Sequence, residues 1–387
     1  MCKFIFYFAI VENTKTTALK RGLSALVLVL ASLNVVAQGI TPKYSNEFMN
    51  IGVGARGLGM GGAQVAAVKD VTAAYWNPAA LLAIEHKYEF SMMHAEYFAG
   101  IAKYDYAGFS TNIEEDNQVA VSLIRFGVDD IPDTRFLYDA NGALNYDNIQ
   151  FFNAADYALL LSYARDFSDV FKAGINTKII HRNVGKFAKA WGFGFDVGGM
   201  FLMDSWQIGV MLRDITTTFN AWSHNAEMVR EIYAQTDNEL PQNSIELTLP
   251  QAILSLAKTV SLQEHFTVQA VVDLNMTFDG QRNTLISTSA VSVDPRVGLE
   301  VGYKQVAYLR GGVSNFQYIK AFDGSESLSV KPSFGLGIFL NEKAYVDYAL
   351  TDIGAVSETP YSHVFSLKVS LEPLTEGFRL HKGWGEN

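Results

Sequence analysis

Residues able to perform acid–base, nucleophilic or metal chemistry are scattered along this sequence. Seven histidines occur in 387 residues, and none pairs with another at a metal-ligand spacing such as H-E-x-x-H. They are His86, His94, His181, His224, His265, His363 and His381. No G-x-S-x-G nucleophile elbow is present. The sequence therefore predicts isolated histidines, no catalytic residues, no metal and no cofactor.

Two other patterns are open to a chemical interpretation. Gly57, Gly59 and Gly62 match G-x-G-x-x-G, but a dinucleotide site needs that motif inside a βαβ unit, and here it follows a polar leader. Asp129, Asp130 and Asp133 could bind calcium, which takes clustered carboxylates, or form a solvated acidic loop. We favour a packed glycine-rich segment for the first pattern and a solvated loop for the second.

Composition limits the class of protein further. The formal net charge is −10, which argues against nucleic acid as a partner because phosphate binding needs clustered Lys and Arg. Hydrophobic residues make up 49% of the chain and charged residues only 18%, a mixture that suits alternating exposure to lipid. The single cysteine is Cys2, so the sequence predicts neither a disulfide nor a thiolate metal site.

The beginning of the chain resembles a secretory signal. Lys20 and Arg21 precede an apolar run from Leu23 to Val36, and small residues at Val35 and Ala37 suit cleavage before Gln38. The alternative, a transmembrane helix, needs about 20 apolar residues, which is longer than this run. We predict a signal peptide at 1–37, with residues 1–19 as an upstream extension, and export of the remainder.

Beyond the signal, the dominant pattern is alternation of apolar and polar residues, which is the signature of β-strands. Phe365, Leu367 and Val369, for example, alternate with Ser366 and Lys368. No later segment holds eighteen consecutive apolar residues, which disfavours a helical membrane protein. About fourteen runs fit the strand pattern: 86–98, 101–113, 117–127, 153–166, 170–182, 190–203, 205–214, 246–259, 264–278, 291–303, 306–317, 330–341, 343–352 and 361–372.

The links between these runs alternate in length. Links such as 114–116, 167–169 and 260–263 are short, whereas 128–152, 183–189, 215–245, 279–290 and 353–360 are longer. The link at 99–100 is an exception, because it is short although it should lie outside. Outer-membrane barrels have short periplasmic turns and longer outside loops, and an even strand count puts both barrel ends in the periplasm. We therefore predict an all-β protein, a transmembrane antiparallel barrel of about 14 strands at 86–372, integral to the outer membrane and in contact with its lipid. A soluble all-β protein is the alternative, and residues 373–387 would form a periplasmic tail.

Residues 38–85 differ in composition from the rest and are predicted to plug the barrel. Glycines such as Gly59 and Gly62 permit tight turns and close backbone approach. A polar lumen can supply hydrogen-bond partners for such a segment. Asn77-Pro78 marks a turn, and Ala79 to Ala83 could form a short helix behind it.

This N-terminal segment carries a resemblance to a known family. The matching stretches are Tyr44-Ser45-Asn46-Glu47-Phe48, Gly54-Ala55-Arg56, Gly59-Met60-Gly61-Gly62-Ala63, Asp70 and Trp76-Asn77-Pro78-Ala79, with Ser362-His363-Val364-Phe365-Ser366-Leu367 at the end of the chain. They resemble FadL-like outer-membrane proteins and, more closely, the PorV/PorQ family of the type IX secretion system. The chain departs from that family at Ala80, where Gly is more usual, and in the tail after Leu371.

The resemblance implies a fourteen-strand barrel with an N-terminal plug and a role without catalysis. PorV-like relatives bind the secretion translocon and escort cargo proteins by their C-terminal domains, so the expected partners are a type IX secretion channel and its cargo. FadL-like relatives carry hydrophobic molecules across the outer membrane, and such a channel is the alternative function.

Charged residues inside the predicted strands should point into the lumen, because Arg or Lys facing lipid near the midplane costs about 2–4 kcal/mol. The set is Arg125, Arg165, Lys172, Lys178, Arg213, Asp273, Arg296, Glu300, Arg310, Asp347 and Lys368. Arg56 and Asp70 of the plug are candidates to join them. Together with Trp76, Asn77 and Pro78 they form the predicted plug and lumen network. A barrel-stiffening network is favoured over a substrate path.

The link at 215–245 is the predicted partner-binding loop. It carries Phe219, Trp222, Met228 and Tyr233 among polar residues, and aromatic and Met side chains are favoured at interfaces. A short helix at Ala226 to Ala234 is predicted within it. The alternative is that the loop folds over the barrel mouth.

Overall fold

The computed structural model describes residues 44–351, except positions 140, 236, 264, 322 and 342, and residues 362–373. The predicted signal peptide at 1–37, the link at 353–360 and the tail after Pro373 lie outside the described residues.

Antiparallel strands dominate the described chain and form one sheet. In chain order they are β1 (His86–Tyr97), β2 (Ala102–Glu114), β3 (Asn117–Asp133), β4 (Gln150–Ser168), β5 (Phe171–Val184), β6 (Ala188–Met203), β7 (Trp206–Arg213), β8 (Thr218–His224), β9 (Ser244–Thr248), β10 (Gln251–Leu262), β11 (Phe266–Thr277), β12 (Ile286–Ser287), β13 (Ser292–Tyr303), β14 (Ala307–Lys320), β15 (Glu326–Asn341), β16 (Ala344–Thr351) and β17 (Ser362–Pro373).

The sheet closes on itself, since β1 pairs with β2 on one side and with β17 on the other. Strand β8 continues the line of β7 along β6, and β9 continues the line of β10. The short β12 folds back on the end of β13. The wall therefore runs β1–β7, β10, β11 and β13–β17, which is fourteen strands. This confirms the predicted antiparallel barrel and its strand number.

The wall has its apolar residues outside and its small or polar residues inside. On β15, Phe334 and Leu336 are 55% and 51% exposed, whereas Ser333 and Gly335, which alternate with them, are buried. A strand of a soluble protein would bury the apolar set, while a barrel strand in a membrane presents it to lipid. The apolar face of the alternating strands thus points outward, as it does in a membrane barrel.

The two ends of the barrel differ in the length of their links, as predicted. At one end, here the short-link end, links such as 115–116 and 204–205 hold two residues. At the other, the long-link end, they include 134–149 and 225–243. Some long links are shorter than the sequence predicted. Strands β3 and β4 continue to Asp133 and back from Gln150, and the β5–β6 link is only 185–187.

Residues 44–85 fill the lumen as the predicted plug. Their helices are a 3₁₀ turn (Glu47–Asn50), α1 (Ala55–Gly59), α2 (Ala73–Trp76) and a 3₁₀ helix (Pro78–Ala83). The last of these confirms the predicted helix behind Asn77-Pro78, and α3 (Ala226–Gln235) confirms the one in the 215–245 link. A further 3₁₀ turn lies at Tyr146–Asn148. No helix among the described residues is long and apolar enough to cross a membrane.

Candidate functional site in the plugged lumen

Glycines in the wall allow the plug backbone to touch it directly. A side chain at Gly174 would collide with the backbone of Pro78 and Ala79, and one at Gly312 with the backbone of Met60 and Gly61. The plug runs from Ser45, which is hydrogen-bonded to Thr248 of β9 (2.9 Å), down to β1 at the short-link end. Because these contacts lie on different sides of the lumen, the wall holds the plug from several directions.

The Trp76-Asn77-Pro78 turn joins the plug to itself and to the wall. The indole N–H of Trp76 donates to the Val53 carbonyl at 2.9 Å, and the ring is buried. The Asn77 amide donates to the carbonyls of Val65 and Gly199, at 3.1 Å each, and its oxygen accepts the Ala79 N–H. An amide is needed here because only Asn offers both donors and an acceptor on so short a side chain.

Arg56 is the ionic anchor of the plug. Its guanidinium makes a bidentate pair with Glu300 of β13 (2.9 and 3.0 Å). It also donates to Gln64, Gln269 and the Ala67 carbonyl, so all five N–H groups are used. Burial is the largest influence and acts to lower the pKa of Arg56, but the charge of Glu300 and its hydrogen bonds together leave that pKa above its ordinary value. Arg56 therefore remains a cation.

Glu300 is shared with a second arginine of the wall. Arg310 Nε donates to Glu300 at 2.5 Å, and another of its nitrogens pairs with Asp347. Its remaining nitrogen donates to the Tyr345 hydroxyl at 2.6 Å. Arg56, Glu300, Arg310 and Asp347 thus form one continuous chain of ion pairs that runs from the plug into the wall.

Asp70 bonds within its own turn of the plug rather than to the ion pairs of Arg56. Its carboxylate accepts from the Thr72 backbone N–H at 2.9 Å and from the Thr72 hydroxyl at 2.5 Å, at the start of α2. The following residue, Val71, donates its N–H to Glu89 of β1. Asp70 thus shapes the turn into α2, and the structure gives it no hydrogen bond to Arg56.

A second ionic cluster lies where the wall is irregular. Asp214 and Thr217, between β7 and β8, both have φ in the left-handed region (55° and 58°). Asp214 turns inward and pairs with Lys178 of β5, which also reaches Asp196 at 2.7 Å. Buried charges of opposite sign are thus matched at a bulge in the wall.

Arg213, beside this cluster, has weaker partners. Its guanidinium stacks on the Tyr75 ring at 4.5 Å and donates to the hydroxyl and carbonyl of Tyr75 at 3.4 and 3.3 Å. A cavity of about 20 Å³ opens next to it, lined also by Met49, Leu160 and the Lys178 cluster. That volume holds about one water-sized group.

The inner wall of β1–β4 is apolar and aromatic toward the long-link end, unlike the ionic wall opposite. Its buried, inward-facing residues there include Met93, Tyr97, Tyr104, Tyr106, Ile124, Ala158 and Leu160, which belong to one hydrophobic cluster with the plug. Toward the short-link end the same strands turn polar residues inward, among them Glu89, Ser110 and Gln118. Water-filled barrels have a polar interior. This half of the lumen is therefore built to contact apolar groups.

Two predicted inward charges face outward. Arg125 pairs across strands with Asp105 (3.2 Å), on the outward face of β3 and β2 near the long-link end. Arg165 is exposed near the short-link end of β4, over the Phe167 ring. The prediction was wrong because position along the strand matters. Near the ends of the apolar band, the cost of an outward Arg falls to about 0–1 kcal/mol.

The predicted partner-binding loop is only partly a loop. Phe219 and Trp222 lie on β8, so placing them in a loop was wrong. Phe219 faces outward, whereas Trp222 turns inward and donates its indole N–H to Glu246 at 2.7 Å. Met228 and Tyr233 lie on α3 and are partly exposed. The periodic pattern of 218–224 was hidden because the bulge before it shifts the alternation.

The glycine motif and the aspartate group singled out in the sequence both have structural roles. Gly57 and Gly59 belong to α1 inside the plug, without a βαβ unit around them. Asp129 and Asp133 lie on β3, where Lys103 and Arg135 pair with them at 2.9 and 2.6 Å. Over the described ranges, no group of three His, Cys, Asp or Glu residues is arranged to hold a metal.

Sequence reasoning missed the buried tyrosines and did not single out Arg213 from the other strand charges. Tyr97 and Tyr104 lie near strand ends, where the aromatic residues of a barrel commonly face the lipid interface. Their positions in the alternation were the available signal, since both share the inward parity of Ala95 and Ala102.

Comparison with known proteins finds solved structures of similar architecture. No family model matches the sequence, and no curated protein matches it either. Among solved structures, the Pseudomonas putida toluene transporter TodX is similar at a TM-score of 0.52 and 14% identity, over 84% of this chain and 99% of that one. A Pseudomonas aeruginosa FadL homologue gives 0.51 and 13%, over 86% and 99%. The monoaromatic hydrocarbon channel CymD gives 0.50 and 12%, over 83% and 98%.

These similarities define the class of fold. The chain forms a closed fourteen-strand antiparallel barrel with an N-terminal plug, a fold similar to that of the TodX transporter and the FadL homologue. At these identities the likeness concerns the fold alone.

Proposed function

We propose that this chain is an integral outer-membrane channel that binds hydrophobic small molecules in its lumen and passes them across the membrane. The described structure corresponds to a state closed by the plug. No catalytic step is part of the proposal. The FadL-like neighbours described as a toluene transporter and as a monoaromatic hydrocarbon channel agree with this function.

One observation carries the proposal, namely the apolar inner wall of β1–β4. Ile124 and Leu160 face the lumen and are buried against the plug, at positions that a channel for water-soluble solutes would make polar. Burying apolar ligand surface there would contribute about 25 cal/mol per Å². An apolar molecule entering from the long-link end would meet this wall before the ionic cluster around Glu300.

Passage requires the plug to move relative to the wall. The direct contacts at Gly174 and Gly312 and the ion pair Arg56–Glu300 hold the plug on other sides of the lumen. Toward the long-link end the wall of β1–β4 contributes mainly apolar contacts, which are not directional, whereas Glu89 and Tyr106 hydrogen-bond to Val71 of the plug. We propose that a ligand would separate plug and wall along β1–β4.

The test uses the purified full-length barrel in nanodiscs and displacement of the fluorophore N-phenyl-1-naphthylamine by ethylbenzene. Saturable displacement is expected. Replacing the inward Leu160 with Asn should weaken it, while the outward neighbour Leu161→Asn should not. Non-saturable partitioning, or equal effects of the two variants, would reject a lumen site. Gel mobility of unheated and boiled samples checks that each variant is folded.

Location and export form part of the same proposal. The predicted signal at 1–37 would direct the chain to the outer membrane, leaving a mature protein that begins at Gln38. Membrane fractionation with N-terminal sequencing tests this directly. A mature chain starting elsewhere, or a detergent-independent soluble protein, would contradict it.

A role as a type IX secretion accessory of the PorV/PorQ kind is the second candidate. It is favoured by apolar side chains at the long-link end, where Phe98 and Ile101 are exposed at the β1–β2 hairpin and Met228 and Tyr233 lie on α3. Exposed apolar groups beyond the membrane band suit a protein partner. Co-purification of a secretion channel or of cargo C-terminal domains from native outer membranes is the expected result. Recovery of the barrel alone would remove this candidate.

A further inference from the structure

Two buried phenol hydroxyls in the apolar wall have no partner. The rings of Tyr97 and Tyr104 are 6.1 Å apart, and both residues are at most 1% exposed. Neither hydroxyl makes a hydrogen bond to any part of the chain described by the structure. The neighbouring Tyr106 is different, because its hydroxyl donates to the Val71 carbonyl at 3.1 Å. Buried polar groups are nearly always paired, so the two orphan hydroxyls call for an explanation.

An under-used guanidinium lies beside them. Arg213 stacks on the Tyr75 ring at 4.5 Å, and Tyr75 belongs with Tyr97 and Tyr104 to one buried cluster, so the four side chains share one region. Within the described residues, no carboxylate lies within ion-pair distance of Arg213, in contrast to Arg56 with its bidentate partner. Arg213 is more than nine-tenths buried and lines the cavity of about 20 Å³ next to Tyr75. The carboxylates of Asp196 and Asp214 that line this cavity are already paired with Lys178, so the region holds hydrogen-bond donors whose partners are missing or weak.

The charge of the region decides what kind of acceptor fits. Lys178 and Arg213 carry two positive charges, and Asp196 and Asp214, which line the same cavity, carry two negative charges. An ionised carboxylate would add an unbalanced negative charge in a buried place, which is unfavourable. A neutral oxygen, as in a ketone, alcohol or phenol, accepts hydrogen bonds without that cost.

We infer that Tyr97, Tyr104 and Arg213 form the polar end of the lumen site, and that the site selects apolar molecules bearing one neutral oxygen over pure hydrocarbons. This rests on the proposed channel function. The oxygen-bearing end would lie between the two phenol hydroxyls and Arg213, next to the cavity that Arg213 and Tyr75 line. The hydrocarbon part would take the place of Met49, which packs against the same apolar cluster. A site with buried unpaired donors discriminates against ligands that leave them unpaired.

The experiment compares ethylbenzene, acetophenone and benzoate in the same fluorophore displacement, with affinities corrected for partition into empty nanodiscs. Acetophenone should bind about tenfold more tightly than ethylbenzene, and benzoate most weakly. The double variant Tyr97→Phe/Tyr104→Phe should lose that tenfold preference while keeping ethylbenzene binding. Tyr163→Phe, an outward tyrosine bonded to Asn117, is the matched control and should change neither.

The outcomes separate the two proposals. If ethylbenzene and acetophenone bind equally, or the double variant keeps the preference, the inference is overturned and the channel function stands. If none of the three displaces the fluorophore saturably, the channel function fails and the inference with it. The ligand-free double variant gives an independent reading. Its thermal midpoint should rise if the hydroxyls are unpaired, and a lower midpoint would show that water or protein already satisfies them.

Discussion

Replacing Glu300 with glutamine should loosen the plug, because this carboxylate neutralises both Arg56 and Arg310. Its side chain is only 10% exposed, and Arg56 has no other carboxylate within ion-pair distance among the described residues. Breaking a buried pair by removing one partner costs about 3–5 kcal/mol. At about 1.4 kcal/mol per factor of ten, the equilibrium between docked and undocked plug shifts roughly 100-fold to a few thousand-fold. Arg310 retains Asp347, so the wall itself should stay closed.

Amide hydrogen exchange in nanodiscs measures this shift. Exchange at Ala66 to Val68 of the plug should accelerate by that factor, while β3 and β4 keep their protection. Glu326→Gln is the control, because Glu326 pairs with Lys320 on the exposed surface, where a salt bridge contributes only about 0–1 kcal/mol. Unchanged plug exchange in Glu300→Gln, or equal acceleration in both variants, would refute the assignment of Glu300 as the anchor.

Three further predictions test the seating of the plug and the polarity of the wall. Gly312→Ala should lower the thermal midpoint by an amount equivalent to about 1–3 kcal/mol, because the added Cβ collides with the plug backbone. Gly311→Ala is the control and should be neutral, since no atom lies nearer than 4.0 Å to its Cβ. Equal midpoints of the two variants would contradict the direct contact. Asn77→Ala should destabilise by about 1–3 kcal/mol in denaturant titrations by leaving buried carbonyls unpaired, and an effect below 0.5 kcal/mol would argue against that role. Leu336→Lys should reduce folding into bilayers by about 2–4 kcal/mol, and Leu340→Lys, nearer the strand end, by about 0–1; the reverse order would misplace the membrane band.

The barrel was readable from the sequence because its signals are local and repeated. Alternation at residues such as Phe365 and Leu367 reports strand geometry, and the order of short and long links reports closure in pairs. The plug was readable through glycine content and through Asn77, whose amide is needed at that turn. These features can be predicted from the sequence because each depends on a few neighbouring residues.

The parts that could not be read depend on depth in the membrane or on breaks in register. Arg125 and Arg165 keep the strand pattern while facing outward, since no sequence period reports distance from the midplane. The bulge at Asp214–Thr217 reset the alternation and hid β8. Tyr97 and Tyr104 lie near strand ends, where aromatic residues are common at the lipid interface, and only their parity along the strands shows that they face inward.

The hydrogen bonds between plug and wall also bear on the order of events during biogenesis. The backbone N–H of Ala55 donates to Ser366 at 2.7 Å across 311 positions of sequence, and Ser333 reaches the Gly59 carbonyl across 274. Contacts so distant in sequence form slowly, since a long loop must close before they are made. Strand β17 carries one of these partners, so the plug stays without it until β17 has been made. A segment seated on both sides of the lumen cannot easily be threaded into a finished cylinder. The pairing of β17 with β1 is thus the step at which the barrel closes around the plug.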